Sequence, residues 1–334
     1  MKDTHLNLFL ALTGATIMSE TPVLGHITVS NATQNYAGSL AQDVQGYLAG
    51  LPAGDEQKAL DALFPGIQTN DFFQFAKADD EAFLTEADGS DIRLQGASFK
   101  RVQYKGTTVT AATQQKGLTM RVDHKTLPKI GGVIVPGWEN RFAAALKNRL
   151  LRVDRARGIL VLDAASTTGG SKTWDGTTNP DGDLRAMVQL TRVSNGQMPT
   201  HCILGNAAQQ KRCDSYEAAA RVNHSMQNHA SYSMEELAAY LNVGKVVLEA
   251  GIKQTLKGAT KTDVMGLLAY SYTSNDSPLM DDPSNIRRAW SPVKGGGEYA
   301  VAIQEMSVYT DITVWHESLF FTPYTAGIRK IVPA

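Results

Sequence analysis

From residue 136 to 158 the chain reads PGWENRFAAALKNRLLRVDRARG. On a helix turning 100° per residue, Trp138, Phe142, Leu146, Leu150 and Val153 share one broad face, and Arg141, Asn148, Arg152 and Arg155 fall in a narrow band on another. Pro136 suits a first turn and Gly158 reads as a stop. The pattern therefore predicts a helix of about six turns, packed on a sheet by one side and showing an arginine stripe on the other. The next run, ILVLDAA (159–165), has the form of a short buried strand.

Upstream, SLAQDVQGYLAGL (39–51) and EQKALDALF (56–64) have helical spacing, broken between them by Pro52 and Gly54. SFKRVQYKGTTVTAAT (98–113) predicts a hairpin turning at Lys105-Gly106, too thin in large apolar residues to be buried on both faces. Downstream, Leu184, Met187, Val188 and Thr191 predict a helix starting at Leu184. THCIL (200–204) reads as a strand and 207–222 as a helix. Ser233 and Glu236 have capping-box spacing ahead of another helix. KVVLEAGI (245–252) and MGLLAYSYT (265–273) read as strands, and 298–321 as two strands broken near Thr310-Asp311. The class is mixed α+β, without the strand–helix alternation of a doubly wound sheet.

With 334 residues, the chain exceeds the size at which one core stops growing, and 43% hydrophobic against 19% charged residues argues against disorder. Two cysteines make no disulfide framework, and no apolar run approaches the roughly 20 residues that span a bilayer. Leu6–Leu12 is too short and interrupted for an export signal and reads as part of an N-terminal arm. Charge is distributed unevenly. Residues 1–96 hold 4 basic and 13 acidic side chains, residues 97–157 hold 13 and 3, and the whole chain is at −1. Blocks of opposite sign neutralise each other within one chain or clamp neighbouring copies.

TTGGSKTWDGTTNPDGDL (167–184) looks most like chemistry. Ser171 stands where a phosphate-binding loop needs glycine before Lys172, and no helix begins there. Asp175, Asp181 and Asp183 lack calcium-loop spacing. The stretch reads as a surface loop whose Asp181 or Asp183 caps the helix at Leu184. His224 and His229 are wrongly spaced for a metal pair, and His201, Cys202 and Cys213 lack a fourth ligand. No catalytic, cofactor or metal site is visible.

The order of elements is more informative. A basic hairpin leads through GLTMRVDH (117–124) into the long helix, then PDGDLRAM (180–187), HCILGNAAQQKRCDSYEAA (201–219), DPSNIRRAW (282–290) and TDITVWHE (310–317). Over residues 71–334 this order resembles the major capsid proteins of tailed bacteriophages, whose fold is shared with encapsulin compartments. Residues 1–70 fall outside the resemblance and are left as an unassigned N-terminal arm, while 71–120 would be an extended loop. The resemblance also implies a peripheral domain (121–165 and 298–334) with spine helix 136–158, and an axial domain (166–297). It implies no enzyme and no cofactor, but a virion shell of many copies arranged as hexamers and pentamers, assembled in the host bacterial cytoplasm. Packaged double-stranded DNA would touch it weakly, and scaffolding, portal and decoration proteins are possible partners; a membrane is not. Lys100, Arg101 and Lys105 would contact the neighbouring subunit, and Arg141, Arg152 and Arg155 would line the inner face. The alternatives are an encapsulin-like compartment and, more remotely, a soluble enzyme binding nucleotide at the Lys172 loop.

Overall fold

A computed structural model describes residues 38–77, 107–130, 132–220, 227–254, 256–275, 284–293 and 296–334. The chain divides into two compact units. The first comprises Met1–Leu51, Gly117–Lys147 and Tyr299–Trp315; the second comprises Pro52–Lys116, Asn148–Glu298 and His316–Ala334.

In the first unit, residues 38–50 form helix α1. Val44 and Leu48 supply its buried side, with Tyr47 turned to solvent. Strand β15 (Tyr309–Phe321) alternates buried and half-buried positions along its whole length, the period-2 signature of a strand between two environments. Its first part is flanked by β4 (Gln114–Asp123) and β14 (Tyr299–Glu305). The turn between β14 and β15 falls at 306–308, closed by Met306 N–H donating to Tyr309 O at 2.9 Å. Thr310 and Asp311, expected at the break, are therefore inside a strand. Arg121 forks onto Asp311 at 2.9 and 2.8 Å, locking β4 to β15.

The second unit is built on a mixed sheet in the order β7-β16-β12-β8-β9. These strands are β7 (Thr167–Lys172), β16 (Arg329–Pro333), β12 (Ala269–Tyr272), β8 (His201–Gly205) and β9 (Lys245–Glu249). β8 and β12 are buried at every position, as central strands covered on both faces must be. The core gathers Trp174, Leu184 and Met187 with Cys202, Leu204, Leu237, Leu241 and Ile331. Ser233 and Glu236 close the predicted capping box before helix Met234–Leu241. Helix α2 (Asp55–Leu63) buries Leu60 and Leu63 and leads to Phe64, whose ring lies 5.4 Å from Phe320 and 6.3 Å from Tyr272. Strand β1 (Gly66–Gln68) then pairs in parallel with β13 (Arg287–Ser291), so residues 55–68 belong to a folded core.

Three expectations are corrected. The long helix, α3, runs Trp138–Ala165 and passes through Gly158, so ILVLDAA is its last two turns and not a strand. Pro136 lies in the turn before it. Gly158 marks a close approach: a Cβ there would sit 2.5 Å from Phe64 Cε2 and 2.9 Å from Phe320 Cε1. Ile159 and Leu162, buried on the same helix, hold it together beyond the glycine, while Val153, expected inside, is exposed.

The Lys172 stretch is also not a loop throughout. Thr167–Lys172 is strand β7, parallel to β16. The following helix, α4 (Pro180–Asn195), starts four residues earlier than its apolar pattern, with Pro180 at its first turn. Its cap is Asn179, which accepts from Gly182 N–H at 3.0 Å, and neither aspartate does so.

Finally, Thr107–Ala112 is strand β3, but its partner is β2 (Phe72–Lys77), paired from Phe72↔Ala112 to Lys77↔Thr107. The turn predicted at Lys105-Gly106 lies outside the described residues, as does the acidic stretch 79–91.

Candidate assembly surfaces and their anchors

The β2–β3 pair is a two-stranded sheet of its own. FFQFAK alternates, so Phe73 and Phe75 turn one way and Phe72 and Gln74 the other. Phe73 and Phe75 lie 5.3 and 4.7 Å from the Phe321 ring, which fastens the base of the ribbon. Phe72 is 76% exposed, and Thr108 and Thr110 are exposed on β3. An isolated two-stranded ribbon is marginal in water, so this one has a face and two edges to offer. Lys100, Arg101 and Lys105, the expected contact residues, lie outside the described residues.

Below the ribbon sits a buried charge cluster. Lys116 Nζ lies 3.6 Å from Asp154 Oδ1 and donates to Ser318 Oγ at 2.9 Å. Asp154 is fully buried and also meets Arg157 at 3.1 Å and His316 Nε2 at 3.3 Å. Burial lowers the Lys116 pKa against the opposing pull of Asp154. Burial likewise pushes His316 down to about 4, outweighing Asp154, while Lys116, Arg288 and Arg157 add to the lowering.

The arginine stripe divides. Arg141 is exposed, and Arg152 is exposed while pairing with Glu56 at 2.6 Å. Arg155 is buried and reaches Glu56 at 3.2 Å and Glu249 at 3.4 Å. Burial raises the Glu249 pKa, with Arg155 opposing it. Arg155 is thus an internal partner of acidic residues and not part of a free basic face. Glu56 also shows that the acidic N-terminal block is answered, at this point, by the basic block of the same chain.

The Trp174 segment is an anchor. Trp174 is 1% exposed and donates its indole N–H to Asp183 Oδ2 at 3.1 Å. Lys172 Nζ lies 3.4 Å from Asp183, so the lysine that suggested phosphate binding has a carboxylate beside it and a strand behind it. Arg288, in a polar cleft of about 340 Å³ with Asp61, Lys245, Trp290 and Glu298, is bracketed by Asp61 at 2.8 Å and Glu298 at 2.6 Å.

Among the described residues, no group of three or more His, Cys, Asp or Glu is placed to hold a metal ion. Burial pushes the Cys202 thiol up to about 12 and, with Lys245 adding, His201 down to about 3. A protonated thiol and a neutral, enclosed imidazole suit a core better than a nucleophile and base.

No protein-family model and no curated protein matches the sequence. Solved structures do. A phage-related protein from Bordetella bronchiseptica is 15% identical, with a TM-score of 0.60 over 87% of this chain and 96% of that one. A structure from Mycobacterium phage Bobi is 10% identical, with a TM-score of 0.50 over 83% and 90%. The capsid structure of cyanophage P-SCSP1u is 9% identical over 82% and 87%, with a TM-score of 0.49. On the first two likenesses, the chain shares the fold of these two phage proteins.

Proposed function

We propose that this chain is the major capsid protein of a tailed bacteriophage, self-assembling into the icosahedral shell that encloses a double-stranded DNA genome. The observation that carries the reading is the fold, which extends over nearly the whole of this chain and of the Bordetella phage-related protein. The β2–β3 ribbon supports it: an exposed two-stranded element with Phe72 in solvent is expected where a neighbouring copy completes the packing.

On this reading, residues 71–120 are the extended loop, 121–165 with 298–334 the peripheral domain, and 166–297 the axial domain. Lys100, Arg101 and Lys105 remain proposed subunit contacts. Arg141 and Arg152 remain proposed inner-face residues toward packaged DNA, whereas Arg155 is withdrawn because it is buried. Scaffolding, portal and decoration proteins are proposed partners, and the host cytoplasm the proposed place of assembly.

The test is to express the full chain and examine what particles contain. Hollow shells that package or associate with DNA support the phage reading. Shells that reproducibly enclose one enzyme would assign the chain to a compartment of the encapsulin kind.

A further inference from the structure

Between β9 and β12 the chain makes a small ribbon, β10 (Ile252–Lys253) with β11 (Thr262–Asp263), separate from both large sheets. It is well held: Gln254 Nε2 donates to Ala259 O at 2.8 Å, Val264 N–H to Gly251 O at 2.8 Å, and Gly258 turns the tip at φ +85°. Its surface is unusual. Ile252 is 57% and Leu256 74% exposed, among the exposed lysines Lys253, Lys257 and Lys261. Large apolar side chains held in water among three lysines, with half-buried Asp263 the one acidic side chain of the ribbon, point to an acidic protein surface and away from a duplex, which offers phosphate but no apolar floor.

Such a surface exists on the same unit. On helix α5 (Asn206–Ala220), Asp214, Glu217 and Ala218 are exposed. Exposed Asp175 is seated beside them, because Ser215 Oγ donates to the Asp175 backbone oxygen at 2.5 Å. Gly176 lies so close to the helix that a Cβ there would be 3.0 Å from Ala218 Cβ. Hydrogen bonds from the Thr177 hydroxyl and backbone lower the Asp175 pKa.

We infer that the Ile252–Asp263 ribbon docks on the Asp175/Asp214/Glu217 face of a second copy of this chain, its lysines meeting the carboxylates and Leu256 covering Ala218. The inference rests on the shell reading and names one contact within it. Two different patches meet, so the contact is head-to-tail, and repeated around an axis it closes into a ring.

The test compares the full chain with K253E/K257E/K261E, D175K/D214K/E217K and the combined variant, by sedimentation velocity at low and high salt. Circular dichroism checks that each folds. The expected result is self-association weakened about tenfold or more in each triple variant, restored in the combination, and salt-sensitive in the parent. If a folded lysine variant assembles like the parent, the ribbon contact is wrong while the shell reading stands. Failure of the combination to restore assembly also overturns the pairing. Rings without shells would keep the contact and remove the shell reading, and a parent that never self-associates removes both. Should the lysine variant lose only binding to added duplex DNA, the ribbon belongs to phosphate and the inference is overturned.

Discussion

Arg212 and Asp181 form a forked ion pair with both side chains fully buried, Nε to Oδ1 at 2.5 Å and Nη2 to Oδ2 at 3.0 Å. Arg212 also donates to His229 O at 2.7 Å, and His229 Nδ1 lies 3.1 Å from Asp181 Oδ2. Removing one partner strands a charge away from water, which costs about 3–5 kcal/mol, whereas an apolar pair of similar volume costs far less. Asp181→Ala or Arg212→Ala alone should therefore sharply lower the urea midpoint, and the combination D181L/R212M should recover most of the loss. Equal loss in the double variant would contradict this account of the pair.

Gly158→Ala tests why α3 continues past its glycine. Helix propensity alone favours alanine by about 1 kcal/mol. Against that, the new methyl meets the Phe64 and Phe320 rings, and overpacking of this kind costs about 1–3 kcal/mol. The expected outcome is a net loss of about 1 kcal/mol in denaturant unfolding, and a stabilised variant would show that the rings yield.

These two sites also show what the sequence could and could not say. Local signals survived: the helix at 56–64, the capping box at Ser233 and the alternation of β15 all depend on neighbours within a few residues. Gly158 misled because a glycine ending a helix and one making room for a ring look alike until Phe64 and Phe320 are brought beside it. Thr167–Lys172, rich in glycine and exposed, is a strand only because β16 lies alongside, and nothing local announces that. Arg155 matched the period of an exposed stripe, but its partners Glu56 and Glu249 come from distant parts of the chain. The ribbon's partner strand β2 was missed for the same reason, and its basic contact residues lie outside the described residues.

His316 gives the fold a pH dependence. Burial holds its folded pKa near about 4, below the ordinary value of 6.5. Between those two values the unfolded chain takes a proton that the folded chain refuses, so stability is complete above about 6.5 and falls as pH drops toward 4. The full loss from this residue is about 3 kcal/mol. Melting temperature should fall from pH 7 to pH 4, and His316→Gln should remove roughly half of that slope, leaving a part at least as large due to His201, which burial lowers further, to about 3. An unchanged slope in the variant would assign the dependence elsewhere.

Phe72 and Phe75 should separate assembly from folding. Phe75 packs on Phe321, and Phe75→Ala should cost the subunit about 2 kcal/mol. Phe72 is in solvent, so Phe72→Ser should leave subunit stability within about 0.5 kcal/mol while suppressing particle formation. Normal particles from the Phe72 variant would remove this face of the ribbon from the interface.

The most direct test of the central claim is electron microscopy of the purified full chain after size exclusion with light scattering. A shell protein gives megadalton, hollow, polygonal particles of uniform diameter. A chain that stays at its 36.1 kDa monomer mass, or stops at a small compact oligomer, across concentration and salt would contradict the reading.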